Sequence, residues 1–242
     1  MTHDEKRRQE FALKEKVMKH VERYRLTTPT TIAKLFFAAH LYPKRTEAIK
    51  RAEKLLAAYT KGKLLTEGEA PGESRPKYYL PHGATPGEAA VNADIAILWF
   101  CLGGPVARHR LSHGELKQLI PNPPYRNITH CIEGVRGFEG ASPAAVIYRM
   151  APTTAEVKEV VRMTRRHLKD AQKKFGRLVD YGDYGFAILV DNDAKANTLR
   201  EALAQPHPDG DPPLDQQARM EVHVTPRADS LARFLAAKEA PS

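Results

Sequence analysis

Cysteine is scarce in this chain. Of 242 residues only Cys101 and Cys131 are cysteines, and neither belongs to a CxxC pair. That argues against a disulfide framework and a four-ligand structural zinc site, and it fits a reducing compartment. No two histidines stand two apart, so the HxH metal signature of rolling-circle and conjugative nicking enzymes is missing. His109 and His113 are four apart but lack the HExxH context, which makes them surface histidines rather than ligands. GxxxxGK[ST] and GxSxG are both absent, which removes ATP-driven chemistry and nucleophile-elbow hydrolysis. Long apolar runs are missing too: the longest, Ile95 to Leu102, falls far short of the ~20 residues that cross a bilayer. MTHDEKRRQE at the start lacks the apolar stretch of a signal peptide. The expectation is a cytoplasmic protein with no membrane partner.

The composition, 42% hydrophobic and 28% charged, is that of a folded chain with one large domain or two modest ones. Charge is distributed unevenly. Residues 1–81 hold 18 Lys and Arg against 10 Asp and Glu, which leaves 20 against 19 for the remainder of a chain whose net charge is +9. Excess positive charge confined to one third points to an anionic polymer as partner.

In that third, Leu13, Val17, Val21 and Tyr24 recur at helical spacing and predict a first helix over 10–24. Thr28 and Pro29 supply a cap and a first-turn proline for a short second helix through Ile32, Leu35 and Phe36, broken at 40–43. A third helix is expected over 44–61, apolar at Ile49, Ala52, Leu56 and Tyr59 and basic on another stripe. Gly62 stops it, and Lys63 to Thr66 and Lys77 to Leu80 flank the turn-forming EGEAPGESRP as a hairpin. Three helices followed by a hairpin resemble the winged helix-turn-helix domain, whose third helix enters the major groove of DNA. The resemblance puts Lys44, Arg45 and Thr46 at the leading end of the reading helix. Arg45 and Arg51 become the candidates for base contacts, since a guanidinium can donate two parallel hydrogen bonds to guanine. Lys44, Lys50, Lys54, Arg75 and Lys77 become candidates for phosphate.

Residues 81–88 read as a Pro/Gly linker, closing an N-terminal domain over 1–84. Two helices, 89–102 and one opened by the Ser112/Glu115 capping box, are expected to bridge over 85–125. Beyond them, over 126–242, come strands at 127–133 and 144–150 around the Gly-rich VRGFEGAS, and a long helix from Val157 to Phe175 flanked by Arg162, Arg165, Arg166, Lys169 and Lys173. A strand over 184–190, a helix over 194–204 capped by Asp193, a strand over 221–224 and a last helix complete the order. The fold class is α+β, with a small mixed sheet and packed helices in the second domain.

Two acidic constellations invite a metal-dependent nuclease or nickase as the alternative function. Glu133 with Asp191 and Asp193 would hold Mg²⁺ or Mn²⁺ in a TOPRIM-like site, and Asp193 with Lys195 imitates the DxK of restriction-endonuclease-like enzymes. The Gly-rich segment after Gly134 is too short for the TOPRIM crossover, and an aspartate at a helix start is commonly a cap.

The basic helix set closed by KYYLP, the helix pair, and the hairpin-helix-strand-helix-strand-helix order together resemble plasmid replication-relaxation and mobilisation proteins. The resemblance implies a restriction-endonuclease-like second domain with a degenerate centre, since Tyr148 and Arg149 of AAVIYRM stand where a metal-binding carboxylate would be wanted. It implies a sequence-specific double-stranded DNA-binding protein acting in replication, mobilisation or transcriptional control. No cofactor is expected. Its further partners would be a second copy of the chain on a two-fold site or other replication and transfer proteins, with the second domain as an adaptor. Enzymatic activity is not expected of the degenerate centre.

Overall fold

The computed structural model describes residues 2–37, 45–70, 77–103, 108–120, 123, 129–134, 145–207 and 209–225. The expected break at 40–43, the hairpin turn at 71–76, the Gly-rich segment 135–142 and the last helix after Thr225 lie outside them. The chain forms two compact units that divide inside one helix, between Leu98 and Trp99. Among the described residues, no helix is long and apolar enough to cross a membrane.

The first unit begins with α1 (His3–Tyr24), seven residues earlier than the apolar spacing indicates. Its start is fixed by polar atoms. Thr2 Oγ1 accepts from the Glu5 backbone N–H at 3.3 Å while the Glu5 carboxylate accepts from the Thr2 N–H at 2.6 Å, a reciprocal capping box. Thr28 caps α2 (Pro29–Phe36) by accepting from the Thr31 N–H. Helix α3 (Arg45–Lys61) follows, then the antiparallel pair β1 (Leu65–Glu69) and β2 (Lys77–Pro81), with Leu65 opposite Pro81 and Glu69 opposite Lys77. Thr27 adds a third pairing, exchanging both backbone hydrogen bonds with Tyr79 of β2 at 2.9 Å. The hairpin is thereby tied to the α1–α2 connection. Val17, Val21, Ile32, Ala33, Ala52, Leu56, Leu65 and Tyr79 bury one core between helices and hairpin.

Helix α4 (Glu88–Leu102) is polar only in its first half, at Glu88, Asn92 and Asp94; from Ile95 on it is wholly apolar, and Ile95, Leu98 and Phe100 are buried with Val91, as such a stretch requires. The segment after it, expected to hold only a second bridging helix, also contains a strand. β3 (Arg108–Leu111) forms one edge of the second unit's sheet, and α5 (His113–Leu119), opened by the Ser112/Glu115 capping box, contributes Leu116 to that unit's core. Arg-His-Arg-Leu has too few apolar residues to signal a strand; pairing with β4 (Thr129–Glu133) makes it one.

The sheet runs β3-β4-β5-β6-β7, where β5 is Val146–Pro152, β6 Tyr184–Val190 and β7 Arg219–Val224. β3, β4 and β5 are antiparallel neighbours; β5, β6 and β7 are parallel, connected through α6 (Val157–Asp180), α7 (Asp193–Leu203) and the short α8 (Leu214–Gln217). The fold is therefore α+β with a mixed sheet. Alternation assigns its two faces. Ile132, Ile147, Tyr184, Phe186, Ile188 and Val222 pack with α5, α6, α7 and α8. The opposite face carries Cys131, Tyr148, Met150, Gly185, Ala187 and Leu189, together with a charged group described below. β6 is buried throughout, as a central parallel strand is. Asn192, not Asp193, caps α7: its Oδ1 accepts from the Lys195 N–H at 2.8 Å, and Asp193 is the first helical residue.

Candidate nucleic-acid interface

The exposed side of α3 follows from its buried side. Ala48, Ala52 and Leu56 face the core, and the opposite stripe, at spacings of three and four, carries Thr46, Lys50, Lys54, Ala57 and Lys61, all exposed. Of the residues singled out from sequence, Thr46, Lys50 and Lys54 share this stripe. Arg51 lies at its margin. The Arg51 guanidinium sits over the Phe37 ring, 4.8 Å from its centroid, which joins α3 to the end of α2 and occupies one face of the group expected to read bases.

Arg45 belongs to the first turn of α3, and its side chain lies outside the described residues, as do Lys44 and Arg75. Six residues turn a helix by about 240° beyond a full rotation. At that spacing the two positions fall about 120° apart around α3, and of the two only Arg51 has its side-chain contact described. Lys77, at the start of β2, is held by a 2.7 Å ion pair to Glu67 of β1. That pair holds the Glu67 carboxyl below the usual carboxylate range and the Lys77 ammonium above its own. Beneath the helices His20 is buried, its Nε2 3.1 Å from Thr27 Oγ1 and its ring against Tyr24 and Phe36. Burial lowers it to about 4.

The acidic residues of the alternative nuclease site are not brought together. Glu133 ends β4 and is opposite Val146, the first residue of β5; Ile147 in turn pairs with Tyr184, the first residue of β6. Asp191 and Asp193 follow the far end of β6. Seven residues at about 3.3 Å each put the two groups at opposite ends of the sheet, ~23 Å apart. Glu133 is occupied as well, accepting from Arg108 Nε at 2.8 Å, with Arg219 at 3.6 Å. Asp193 and Lys195 both lie in the first turn of α7, not side by side on a strand. These residues do not fit a Mg²⁺ or Mn²⁺ centre, and among the described residues no group of three or more His, Cys, Asp or Glu could hold a metal. His109 and His113, on β3 and at the start of α5, are both exposed.

A second polar group went unrecognised in the sequence. On the face of the sheet away from α6, Glu221 of β7 accepts from the Tyr148 hydroxyl, lies 2.8 Å from His223 Nε2, and receives Arg219 at 3.3 Å and Arg108 Nη2 at 3.5 Å. Burial by itself would raise the Glu221 carboxyl. The hydrogen bonds of His223 and Tyr148 and the charge of Arg108 outweigh it and hold the group at about 2. The Phe100 ring, from the end of α4, covers Arg108 at 4.2 Å and meets His223 at 4.8 Å. Alternation in RMEVHV, which sets Arg219, Glu221 and His223 on one face, was the signal available. Two carboxylates against two guanidiniums make this a nearly balanced network that ties β3, β4, β5 and β7 together.

Comparison of the chain with protein-family models, with curated proteins and with solved structures found no match in any of the three.

Proposed function

We propose that the protein binds double-stranded DNA through α3 in the manner of a winged helix, with the β1–β2 hairpin against the backbone beside it. The observation that carries this reading is the α3 stripe: Lys50, Lys54 and Lys61 stand exposed on the side directly opposite the buried Ala48, Ala52 and Leu56, in a unit of three helices and a hairpin. A helix anchored by one face and cationic on the other can enter a major groove without disturbing its own core. The Thr27–Tyr79 pairing fixes the hairpin to the helices and so supports its use as a wing.

In this reading, sequence-specific binding would serve the replication, mobilisation or transcriptional control of a plasmid or other mobile element, the role that the sequence resemblance implies. The second unit, in this reading, descends from a restriction-endonuclease-like fold and no longer cleaves. Tyr148 is spent on Glu221, and Arg149 faces α6. The test is equilibrium binding of labelled duplexes from plasmid origins and promoters against scrambled duplexes, at several salt concentrations. A fragment bound at least 100-fold more tightly than scrambled DNA, with log Kd rising linearly with log salt, supports the reading. Equal weak binding to every duplex overturns sequence specificity.

A further inference from the structure

Helix α6 carries a row of cations that the α3 reading does not use. Lys158, Arg162, Arg166, Lys169 and Lys173 recur at spacings of four, four, three and four, and all five are exposed. At 100° per residue they fall within about 80° of arc, and at 1.5 Å per residue they span about 22 Å. The row ends at a kink in the helix: Phe175 departs from helical geometry (φ −150°, ψ 45°) just beyond Lys173, and α6 resumes to Asp180. The opposite side of α6 is anchored, with Val160, Thr164, Leu168, Ala171 and Phe175 buried.

Among the described residues little balances this charge. Arg162 is paired with Glu159 at 2.7 Å and Lys169 with Asp211 at 3.2 Å, both exposed pairs of the kind that hold weakly. Lys158, Arg166 and Lys173 have no carboxylate within ion-pair distance among the described residues. Lys158 also stands in the first helical turn, where the helix dipole disfavours a cation.

Behind the row is a sixth cation. Arg149 of β5 points under α6, and its Nη2 lies 3.1 Å from His167 Nε2, next in sequence to Arg166. Burial, then the charges of Arg149 and Arg166, lowers His167 to about 4, so at neutral pH the ring is an uncharged acceptor. Burial likewise lowers the Arg149 guanidinium, to about 10, with Tyr184 and Asp170 opposing the shift and the charge of Arg166 adding to it. A half-buried guanidinium leaning on a neutral imidazole retains its positive field.

We propose that the row Lys158, Arg162, Arg166, Lys169 and Lys173, reinforced by Arg149, is a second phosphate-binding surface that takes the backbone of a nucleic-acid duplex. Charge complementarity selects the occupant. One strand of a duplex carries a phosphate every ~3.4 Å of axis, so a straight 22 Å row meets several of them. A protein partner would call for apolar anchors at the centre of the patch, and Met163 is the only large hydrophobic residue exposed on this helix among the described residues. The surface rests on DNA being the chain's partner, and it supplies affinity without sequence preference, since phosphates carry no base information.

The test compares the full-length chain with two triple variants on a random 30-bp duplex and on the chain's preferred duplex, by fluorescence anisotropy across salt concentrations. One variant is Lys158→Ala with Arg166→Ala and Lys173→Ala, all exposed and without ion pairs among the described residues. The other is Lys50→Ala with Lys54→Ala and Lys61→Ala on α3. The α6 variant should bind both duplexes at least 10-fold more weakly, with a salt slope shallower by about 2.7, three contacts at ~0.9 each, and an unchanged ratio between the duplexes. The α3 variant should lose that ratio. An α6 variant with the slope and affinity of the parent overturns the α6 surface and leaves the α3 reading intact. Loss of all binding in the α6 variant alone, with the α3 variant like the parent, upholds the α6 surface and overturns the α3 reading. A poly-glutamate peptide that occupies the row as tightly as the duplex at equal salt overturns nucleic acid as its occupant.

Discussion

The Tyr148 hydroxyl reaches Glu221 across the intervening strand β6, over Gly185. A Cβ on Gly185 would stand 2.8 Å from the Arg219 carbonyl oxygen and 3.3 Å from Tyr148 Cε1. The first of these is backbone in a paired strand and cannot swing aside. Gly185→Ala should therefore destabilise the second unit by about 1–3 kcal/mol, the cost of an overfilled site. Gly114→Ala in α5, where a Cβ meets nothing within 4 Å, should instead gain about 0.5–1 kcal/mol from helix propensity. Urea unfolding of the two variants beside the parent chain checks both signs.

Glu221 is a carboxylate held down at about 2 against an ordinary 4.5. Its contribution to stability is complete above pH 4.5 and is lost as pH falls from there towards 2. In Glu221→Gln that acid limb should disappear, although the variant is less stable at neutral pH because Arg108 and Arg219 lose a counter-charge. Unfolding midpoints measured from pH 6 to pH 2 distinguish the two curves.

His20 acts over a higher window. Its buried ring titrates at about 4 instead of 6.5, so folding keeps it neutral; the stability so gained is complete above pH 6.5 and declines as pH falls towards 4. His20→Gln, which can still bond Thr27 Oγ1, should flatten this part of the profile. Hydrogen exchange of α1 and β2 amides between pH 7 and pH 4.5 reads the first unit separately from Glu221.

Arg51 leans on Phe37, whereas Lys50 and Lys54 reach into solvent. Arg51→Ala should cost about 0.5–1 kcal/mol of stability through the lost cation–π contact, with or without DNA. Lys50→Ala with Lys54→Ala should leave the thermal midpoint in place and make the salt slope of DNA binding shallower by about 1.8. Differential scanning fluorimetry and anisotropy on the same preparations separate the two effects.

Glu67 holds Lys77 at the turn end of the hairpin. If the hairpin meets the DNA backbone, Glu67→Gln removes a repelling charge and releases the ammonium, and affinity should rise several-fold at low salt and little at 0.5 M. Unchanged affinity at low salt would remove the hairpin from the interface.

Periodic and capping signals carried most of the element assignments. The Thr28–Pro29 start of α2, the Ser112/Glu115 box, the buried run Tyr184 to Val190 and the start of the long helix at Val157 are local: each depends on neighbours within a few residues, whereas the long helix runs five residues past the expected Phe175, to Asp180. Where local signals were thin the sequence misled. His3 to Gln9 has almost no apolar residue, so its helix was invisible until the Thr2/Glu5 capping box was seen. Arg108 to Leu111 became a strand only because β4 offered a ladder.

Charge at the level of the chain, the α+β class and the cationic stripes of α3 and α6 were set by the sequence alone, because they depend on composition and on a helical period that tertiary contacts do not alter. Which charges remain available was decided by the tertiary structure. Arg51 is drawn onto Phe37, Lys77 onto Glu67 and Glu133 onto Arg108, and the parallel course of β5 and β6 carries Asp191 to the end of the sheet away from Glu133. The three contacts join residues 10 to 25 positions apart, and they and the Glu133–Asp191 separation are set by strand register and helix packing, which no local period encodes.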